Sequence, residues 1–598
     1  MRIDVPKKKL LPAAFVVGML ALGSCTDKDF DFNEVDLTMG FGGDELVIPS
    51  SSTDIIKLSD VLDLETDGSV RLDADSNYVF SLAETSVEPA RPYVKVLRLT
   101  PQSYELDYQF NLSSGAKQQG ATRAGLTVSV PEQTVMKFDY TGHSPEVKSL
   151  LSASLENTKM TLTLDFGNAI PTFMPTLSKL NLTLPGYLSV KSAKVVGGSG
   201  NVTMVQSGHL LDLDNVGTSQ PLKLEVVVDG LSFVNYDTSY GKLSINAESG
   251  EIAIDGRMTM SMAADITGVP TASSFTIHST MAIDEMVVTG ATGTFDPDID
   301  LDNLGKVDVT GVPDFLHDGN VCVDLYNPQI MLKVANDMNV GATFSGEVVA
   351  YKDGRETARV KLPDMSIYGK GTTPDDTTRI CICRRAPQSV AQGWDYYEVT
   401  DLSSLIYTVP DRIEIVNPNV HADTSKEAEL KFGHQYCVAP KYDVVAPLAF
   451  AENAVIVYKD SLDDWNDDVK DLELSDNAYV ELTGDVESRV PVFLDIKAEP
   501  LDVNGKVIGS DRLKVEIPNG VEASVDGLTP SNTAISVKIS QLEAKALQQL
   551  DGVRFTVTGS ASKNGQSVTG INLNARDHTL KLTNIKVKVK GKVIGDFN

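Results

Sequence analysis

Met160-Thr-Leu-Thr-Leu-Asp-Phe166 places a polar residue between each pair of large apolar ones. In extended backbone, successive side chains leave on opposite faces, so Met160, Leu162, Leu164 and Phe166 share one face while Thr161, Thr163 and Asp165 share the other. Such a strand buries one side and wets the other. The alternation returns in Tyr104-Glu-Leu-Asp-Tyr-Gln-Phe-Asn-Leu112 and in Leu180-Asn-Leu-Thr-Leu184, which runs into the turn signal Pro185-Gly186. It is the commonest local pattern of the chain, and the Val and Thr that recur in it are strand formers. The expected fold class is all-β: several sandwich or barrel-like modules in series with a few short helices.

Three stretches break the alternation and read as helices. Ser144-Pro145-Glu146 can start one before Leu150 and Leu151. Ser461 to Leu472 spaces Leu462, Trp465, Val469 and Leu472 by three and four. Ser540-Gln-Leu-Glu543 has the form of a capping box, with Gly552 as the stop.

A length of 598 residues suggests three to five domains at about 100–200 residues each. Three pairs of short echoes keep their order. Leu180–Gly186 is echoed by Leu513–Gly520, Ile254–Met260 by Leu550–Val557, and Met286–Gly290 by Val587–Gly591. They suggest two related β modules. The expected organisation is a leader over 1–24, an acidic tether over 25–40 and an N-terminal β module over 41–144. A first repeat copy follows over 145–300, then middle β modules with a short helix over 301–489 and a second repeat copy over 490–598. Within the middle segment, Val321-Cys-Val-Asp-Leu-Tyr-Asn-Pro328 leads into Ile330–Val334. This strand–Asn-Pro–strand unit resembles the Asn-Pro strand motif of the LEA-type-2 sandwich over some thirty residues, and no function is carried across.

The first twenty-five residues read as an address. Arg2 and Lys7–Lys9 precede the apolar run Leu10–Leu22, which is shorter than the roughly 20 residues a spanning helix needs and fits a secretory h-region. The run ends in Leu22-Gly23-Ser24-Cys25 and resembles the lipobox of bacterial lipoproteins. That resemblance implies cleavage before Cys25 and acylation of Cys25. Asp27, Asp29 and Asp31 follow, interrupted by Lys28, and resemble the acidic tract of surface-exported lipoproteins of the Bacteroidota. Leader, tract, size and β-rich modules together resemble the large surface lipoproteins of that phylum. The resemblance implies an outer-membrane, lipid-anchored protein at the cell surface, with the membrane as a partner through its N-terminal acyl chains.

A net charge of −30 argues against nucleic acid, which requires basic patches. It also repels anionic headgroups, so attachment falls to the acyl chains, two or more of which anchor stably.

Candidate sites are sparse. Cys381-Ile-Cys383, His434 and Cys437 could complete a tetrahedral zinc shell, but a single residue between the paired thiols is closer than structural sites prefer. A disulfide from Cys437 to one of the pair, or buried free thiols, are the alternatives. Asp296-Pro-Asp-Ile-Asp-Leu-Asp302 invites calcium, yet Leu301 and Val307 stand where an EF-hand loop needs glycine and a carboxylate. The alternating Ile299 and Leu301 read instead as a linker entering a strand. No metal and no cofactor are expected. The seven histidines make no paired motif, and there is no nucleophile elbow, phosphate loop or dinucleotide fingerprint. The chain therefore reads as non-enzymatic, although two carboxylates of a glycosidase need only meet in space. Trp394, Tyr396 and Tyr397 are the candidate glycan-stacking residues, with a core cluster under a loop as the alternative. At the C-terminus Lys586, Lys588, Lys590 and Lys592 alternate with Val587, Val589, Gly591 and Val593. They form either a docking stripe for an acidic partner or glycan, or protection of a sheet edge.

The resulting expectation is a non-catalytic, lipid-anchored cell-envelope protein with a binding or adhesion role, its partner a glycan or an envelope protein. The alternatives are a glycan-capture lipoprotein beside an outer-membrane importer, and a lipid carrier with an apolar groove lined by the two related modules.

Overall fold

The computed structural model describes residues 45–49, 52–61, 70–111, 126–205, 209–268, 274–299, 306–310, 316, 319–387, 391–466, 470 and 478–590. They form three β-sandwiches. In the first, an eight-stranded sheet runs Leu188–Gly197, Leu222–Ser232, Val147–Asp165, Ser274–Ile283, Gln102–Asn111, with Met286–Phe295 also paired to Val147–Asp165. A six-stranded sheet supplies the other layer, centred on Thr176–Thr183 and Glu251–Ile266. One buried cluster draws on both layers. Met160, Leu162, Leu164, Leu180, Leu182 and Leu184 all have 0 % exposure, as their alternation requires.

The second sandwich sets a six-stranded sheet against a four-stranded one. The former runs Asp395–Glu398, Thr377–Cys383, Gln329–Asn336, Val438–Pro447, Tyr78–Ser86, Val70–Leu72; the latter runs Lys306–Asp308, Arg412–Ala422, Ala342–Lys352, Arg355–Ile367. Its core gathers Val334, Phe344, Val348, Leu362, Ile380 and Ile382. The third sandwich pairs Glu45–Pro49, Thr579–Lys590, Tyr479–Ser488, Ser531–Gln541 and Leu513–Glu516 in one sheet, and Val455–Leu462, Gly552–Ser560 and Phe493–Leu501 in the other. Leu482, Val486, Val492, Ile496, Leu582 and Val587 close its core.

The chain is nested rather than serial. It starts in the third sandwich with Glu45–Pro49, passes through the second with Val70–Leu72 and Tyr78–Ser86, and builds the first from Leu97 to Phe295. It then returns through the second to the third. The expected 41–144 module is thereby divided among all three sandwiches. Its strands Gln102–Asn111 and Leu126–His143 pair with Ser274–Ile283 and Glu251–Ile266 of the expected next module.

The two expected repeat copies do not share a strand order. Leu180–Leu184 and Ile254–Met260 fall in neighbouring, hydrogen-bonded strands of one sheet, whereas their echoes Leu513–Glu516 and Gly552–Ser560 fall in opposite sheets. Alternating strands with turn residues converge on similar short strings, which accounts for the echoes.

Two of the three expected helices give way to sheet. At Ser144 the backbone N–H donates to Gly250 O at 2.8 Å and the hydroxyl to Glu146 at 2.9 Å. The chain turns there, and Val147–Asp165 continues as a strand with Leu150 opposite Gly293. Ser540 and Gln541 are held in strand by pairing with Lys514 and Leu513, leaving a single 3₁₀ turn at Leu547–Gln549. In the third, Ser461 and Leu462 end the strand Val455–Leu462, but Asn466 is helical and accepts from Lys470 N at 2.8 Å; residues 467–469, 471 and 472 lie outside the described residues.

Candidate functional site

Three loops meet at one end of the second sandwich: residues 337–341 and 368–376 cross between its two sheets, and residues 423–427 lead from Arg412–Ala422 to Ala428–Lys431, a strand paired with Met286–Phe295 in the first sandwich. Sheet-end loops on a rigid scaffold are where binding groups concentrate. Asn336, 2 % exposed, staples the first two. Its amide donates to Val340 O and Tyr368 O, each at 3.0 Å, and its carbonyl accepts from Met338 N at 3.0 Å. Lys370 N donates to Met338 O, and Asp423 N to Gly341 O, both at 2.8 Å, which ties in the third loop. Gly369 permits this approach, because a Cβ there would lie 2.2 Å from Asn339 O.

Between the loops lies a cleft of about 350 Å³, within the roughly 300–1,000 Å³ of ordinary ligand sites. Asn339, Thr343, Lys370, Asp423, Lys426 and Glu427 are among its lining residues. Lys426 pairs with Asp423 at 3.2 Å. The Ser425 hydroxyl, followed by Lys426, holds the Asp423 carboxyl below its ordinary range, so it is an acceptor at neutral pH. The lining thus offers carboxylate, amide and hydroxyl acceptors beside ammonium donors, a mixture suited to a ligand dense in hydroxyl groups.

The expected aromatic trio lies behind this cleft but does not form one stacking surface. Asp395–Glu398 is a short strand on Thr377–Cys383, the one parallel pairing among those described. Tyr397 is half-buried and packs against the core, and its hydroxyl accepts from Ser366 N at 3.0 Å; Ser366 itself lines the cleft. Tyr396 alternates to the other face, where its hydroxyl accepts from Ala391 N at 3.4 Å. Trp394 is half-buried at the preceding turn. Tyr368, another lining residue, donates its hydroxyl to Asp395; burial first, then that carboxylate, pushes the Tyr368 phenol upward. The segment supports the cleft wall.

A second opening, apolar and about 90 Å³, lies between the sheets of the same sandwich, against Ile330, Leu332, Phe344, Ile413, Ile415 and Leu405. It is well below ligand-site size and is not lined by the two segments from which a lipid groove was expected.

Cys25 lies outside the described residues. Cys322, Cys381, Cys383 and Cys437 are free thiols, which answers the disulfide alternative. Burial, followed by the neighbouring Cys383, pushes the Cys381 thiol up to about 12. Among the described residues no three His, Cys, Asp or Glu side chains are placed to hold a metal. Asp296 instead pairs with Lys148 at 3.5 Å, while residues 300–302 of the expected acidic linker lie outside the described set.

Sequence reading missed the cleft residues because no spacing connects three loops that meet only across the sheets; Gly341 and Gly369 are the local signs. It also missed Asp324, which is fully buried. Its carboxylate accepts from Arg384 Nη1 at 2.7 Å, Ser403 Oγ at 3.0 Å, and Asn453 N and Nδ2 at 3.2 and 3.1 Å. This knot joins the second sandwich to the segment entering the third.

No protein-family model matches the chain, and no curated protein matches it. Among solved structures it is similar to a crystal structure from Parabacteroides distasonis described as a "putative secreted protein". The identity is 15 % and the TM-score 0.35, over 50 % of this chain and 90 % of that one.

Proposed function

We propose that this chain is a non-catalytic binding protein of the cell envelope, anchored at the outer membrane through acyl groups on Cys25. In this reading it captures a carbohydrate-class ligand in the polar cleft of the second sandwich. The observation that carries the ligand assignment is the cleft itself: about 350 Å³, bordered by groups of both charge signs and held open by the Asn336 staple. The anchor rests on the Leu22-Gly23-Ser24-Cys25 register.

The mature protein screened on a glycan array should bind a discrete set of saccharides. Lys370→Ala with Asp423→Ala should weaken the best of them at least tenfold with an unchanged melting midpoint. An array without signal, or binding indifferent to both substitutions, overturns the ligand assignment. Cys25→Ala should abolish palmitate labelling and release the protein from membranes; retention of both overturns the anchor.

A further inference from the structure

The strand Thr579–Lys590 is not an edge. Lys586, Lys588 and Lys590 face Pro49, Val47 and Glu45 on one side and Thr483, Glu481 and Tyr479 on the other. Protection of a free edge, one of the two sequence readings, therefore does not explain these lysines. Lys592 lies outside the described residues. Cross-strand partners share a sheet face, so the register carries the row further: Glu481 faces Lys538, and Lys538 faces Glu516. The opposite face buries Leu482, Val537 and Val587 in the core, leaving the lysine face toward solvent.

The charges on this face do not cancel. Glu516 is taken by Lys514 at 2.6 Å, and Lys588 lies across from Glu481. Glu45 lies across from Lys590 in register, so Lys514, Lys538, Lys586, Lys588 and Lys590 still outnumber Glu45, Glu481 and Glu516 on this face. Lys538 and Lys590 lie beside Tyr479, and Lys586 continues the row opposite Thr483. The Lys538 ammonium is 4.2 Å from the Tyr479 ring centroid and that of Lys590 is 5.9 Å. Neighbouring residues on one face repeat at about 6.8 Å along a strand and strands at about 4.8 Å across it. The ammonium groups thus form a two-dimensional array with an aromatic ring at one end, on a chain whose net charge is −30.

We propose that this face is a second binding surface, taking an anionic polysaccharide, one bearing carboxylate or sulfate groups. The sugar ring rests against Tyr479 and its anionic groups against Lys538, Lys586 and Lys590. Charge complementarity favours a polyanion. The acidic remainder of the protein disfavours a flat anionic membrane, which would bring far more of that surface near like charge than a single chain lying along the array would. The surface is distinct from the cleft and stands without it.

The test uses the full-length protein in its unacylated Cys25→Ala form, so that lipid chains do not themselves bind vesicles, with heparin, polygalacturonate and neutral dextran as probes, and with phosphatidylglycerol vesicles. At least one polyanion should bind, more weakly as salt rises from 50 to 300 mM because exposed charges are then increasingly screened, and dextran should not. Lys538→Gln, Lys586→Gln and Lys590→Gln together should weaken binding at least tenfold with an unchanged melting midpoint. Tyr479→Ala should weaken it about threefold or more, with Tyr479→Phe near wild type. The cleft variant Lys370→Ala/Asp423→Ala should bind the polyanion normally, which separates failure here from failure of the cleft assignment. No polyanion binding, equal binding of dextran, indifference to the triple substitution, or vesicle binding in place of polysaccharide each overturns the proposal.

Discussion

The first and second sandwiches share an architecture and differ in how they are closed. In the first, Met160, Leu162, Leu164, Leu180, Leu182, Leu211, Leu213, Leu222 and Leu224 have no exposed surface, and its sheets meet through long strands such as Val147–Asp165 and Glu251–Ile266. In the second, Ile330, Leu332, Ile413 and Ile415 are only partly buried, and an apolar gap and a polar cleft open in it. What secures the second is in part polar: the Asn336 staple and the Asp324 knot. Apolar closure is non-directional and leaves no room, whereas a few directed hydrogen bonds can hold loops apart at a set distance. The sandwich proposed to bind is the one that gave up some apolar closure.

The largest expected effect falls on that polar fastening. Asp324→Ala leaves Arg384 without its carboxylate in a largely buried setting, and should cost about 3–5 kcal/mol, read as a lower denaturant midpoint. A loss under about 1 kcal/mol would break the contrast. Leu162→Ala in the sealed core should cost about 2–5 kcal/mol. Gly369→Ala should cost about 1–3 kcal/mol, since its Cβ would press on Asn339 O, and on the proposed reading should also weaken saccharide binding. Leu332→Ala should cost less, about 1–2 kcal/mol, because Leu332 is only partly buried and borders an existing gap, so fewer packing contacts are lost. Equal losses for Leu162→Ala and Leu332→Ala would show that the two cores are closed alike.

The smallest effects are in pH dependence, where two histidines in the first and third sandwiches act oppositely. His278 bonds Asp107 at 2.6 Å, and this raises its pKa above the ordinary 6.5. Its contribution is complete below about pH 6.5 and is lost as pH rises through the folded value. His578 is buried and accepts from Asn574 N at 3.0 Å; burial lowers its pKa below 6.5, opposed by nearby Asp577. The unfolded chain then takes up the proton first, so stability is complete above 6.5 and falls as pH drops below it. Melting midpoints between pH 5 and 8 should show His278→Gln removing the alkaline loss and His578→Gln the acid loss. The reverse assignment would contradict both environments.

Strand phase was legible in the residues, because alternation is local and a single buried face reads it out. Met160–Phe166 and Leu180–Leu184 point as their sequence says. Leu106 does not: in phase with Tyr104 and Tyr108, it is 40 % exposed, since Gln102–Asn111 ends its sheet path and cover runs out there. Helix signals at Ser144 and Ser540 were outweighed by sheet hydrogen bonds to residues far along the chain.

The sequence by itself determined the all-β class, the inward face of the long strands, and the row of lysines on one side of the last strand. Only the tertiary structure decided which strand lies beside which. Any alternating strand can pair with any other, and closing a long loop costs little more than closing a moderate one because the penalty grows with the logarithm of length. Glu45–Pro49 could therefore pair with Lys586–Lys590 across nearly the whole chain. That choice nested the three sandwiches, turned Tyr397 against the core, brought three loops together around a cleft, and placed the lysine row inside a sheet, where it faces outward beside Tyr479.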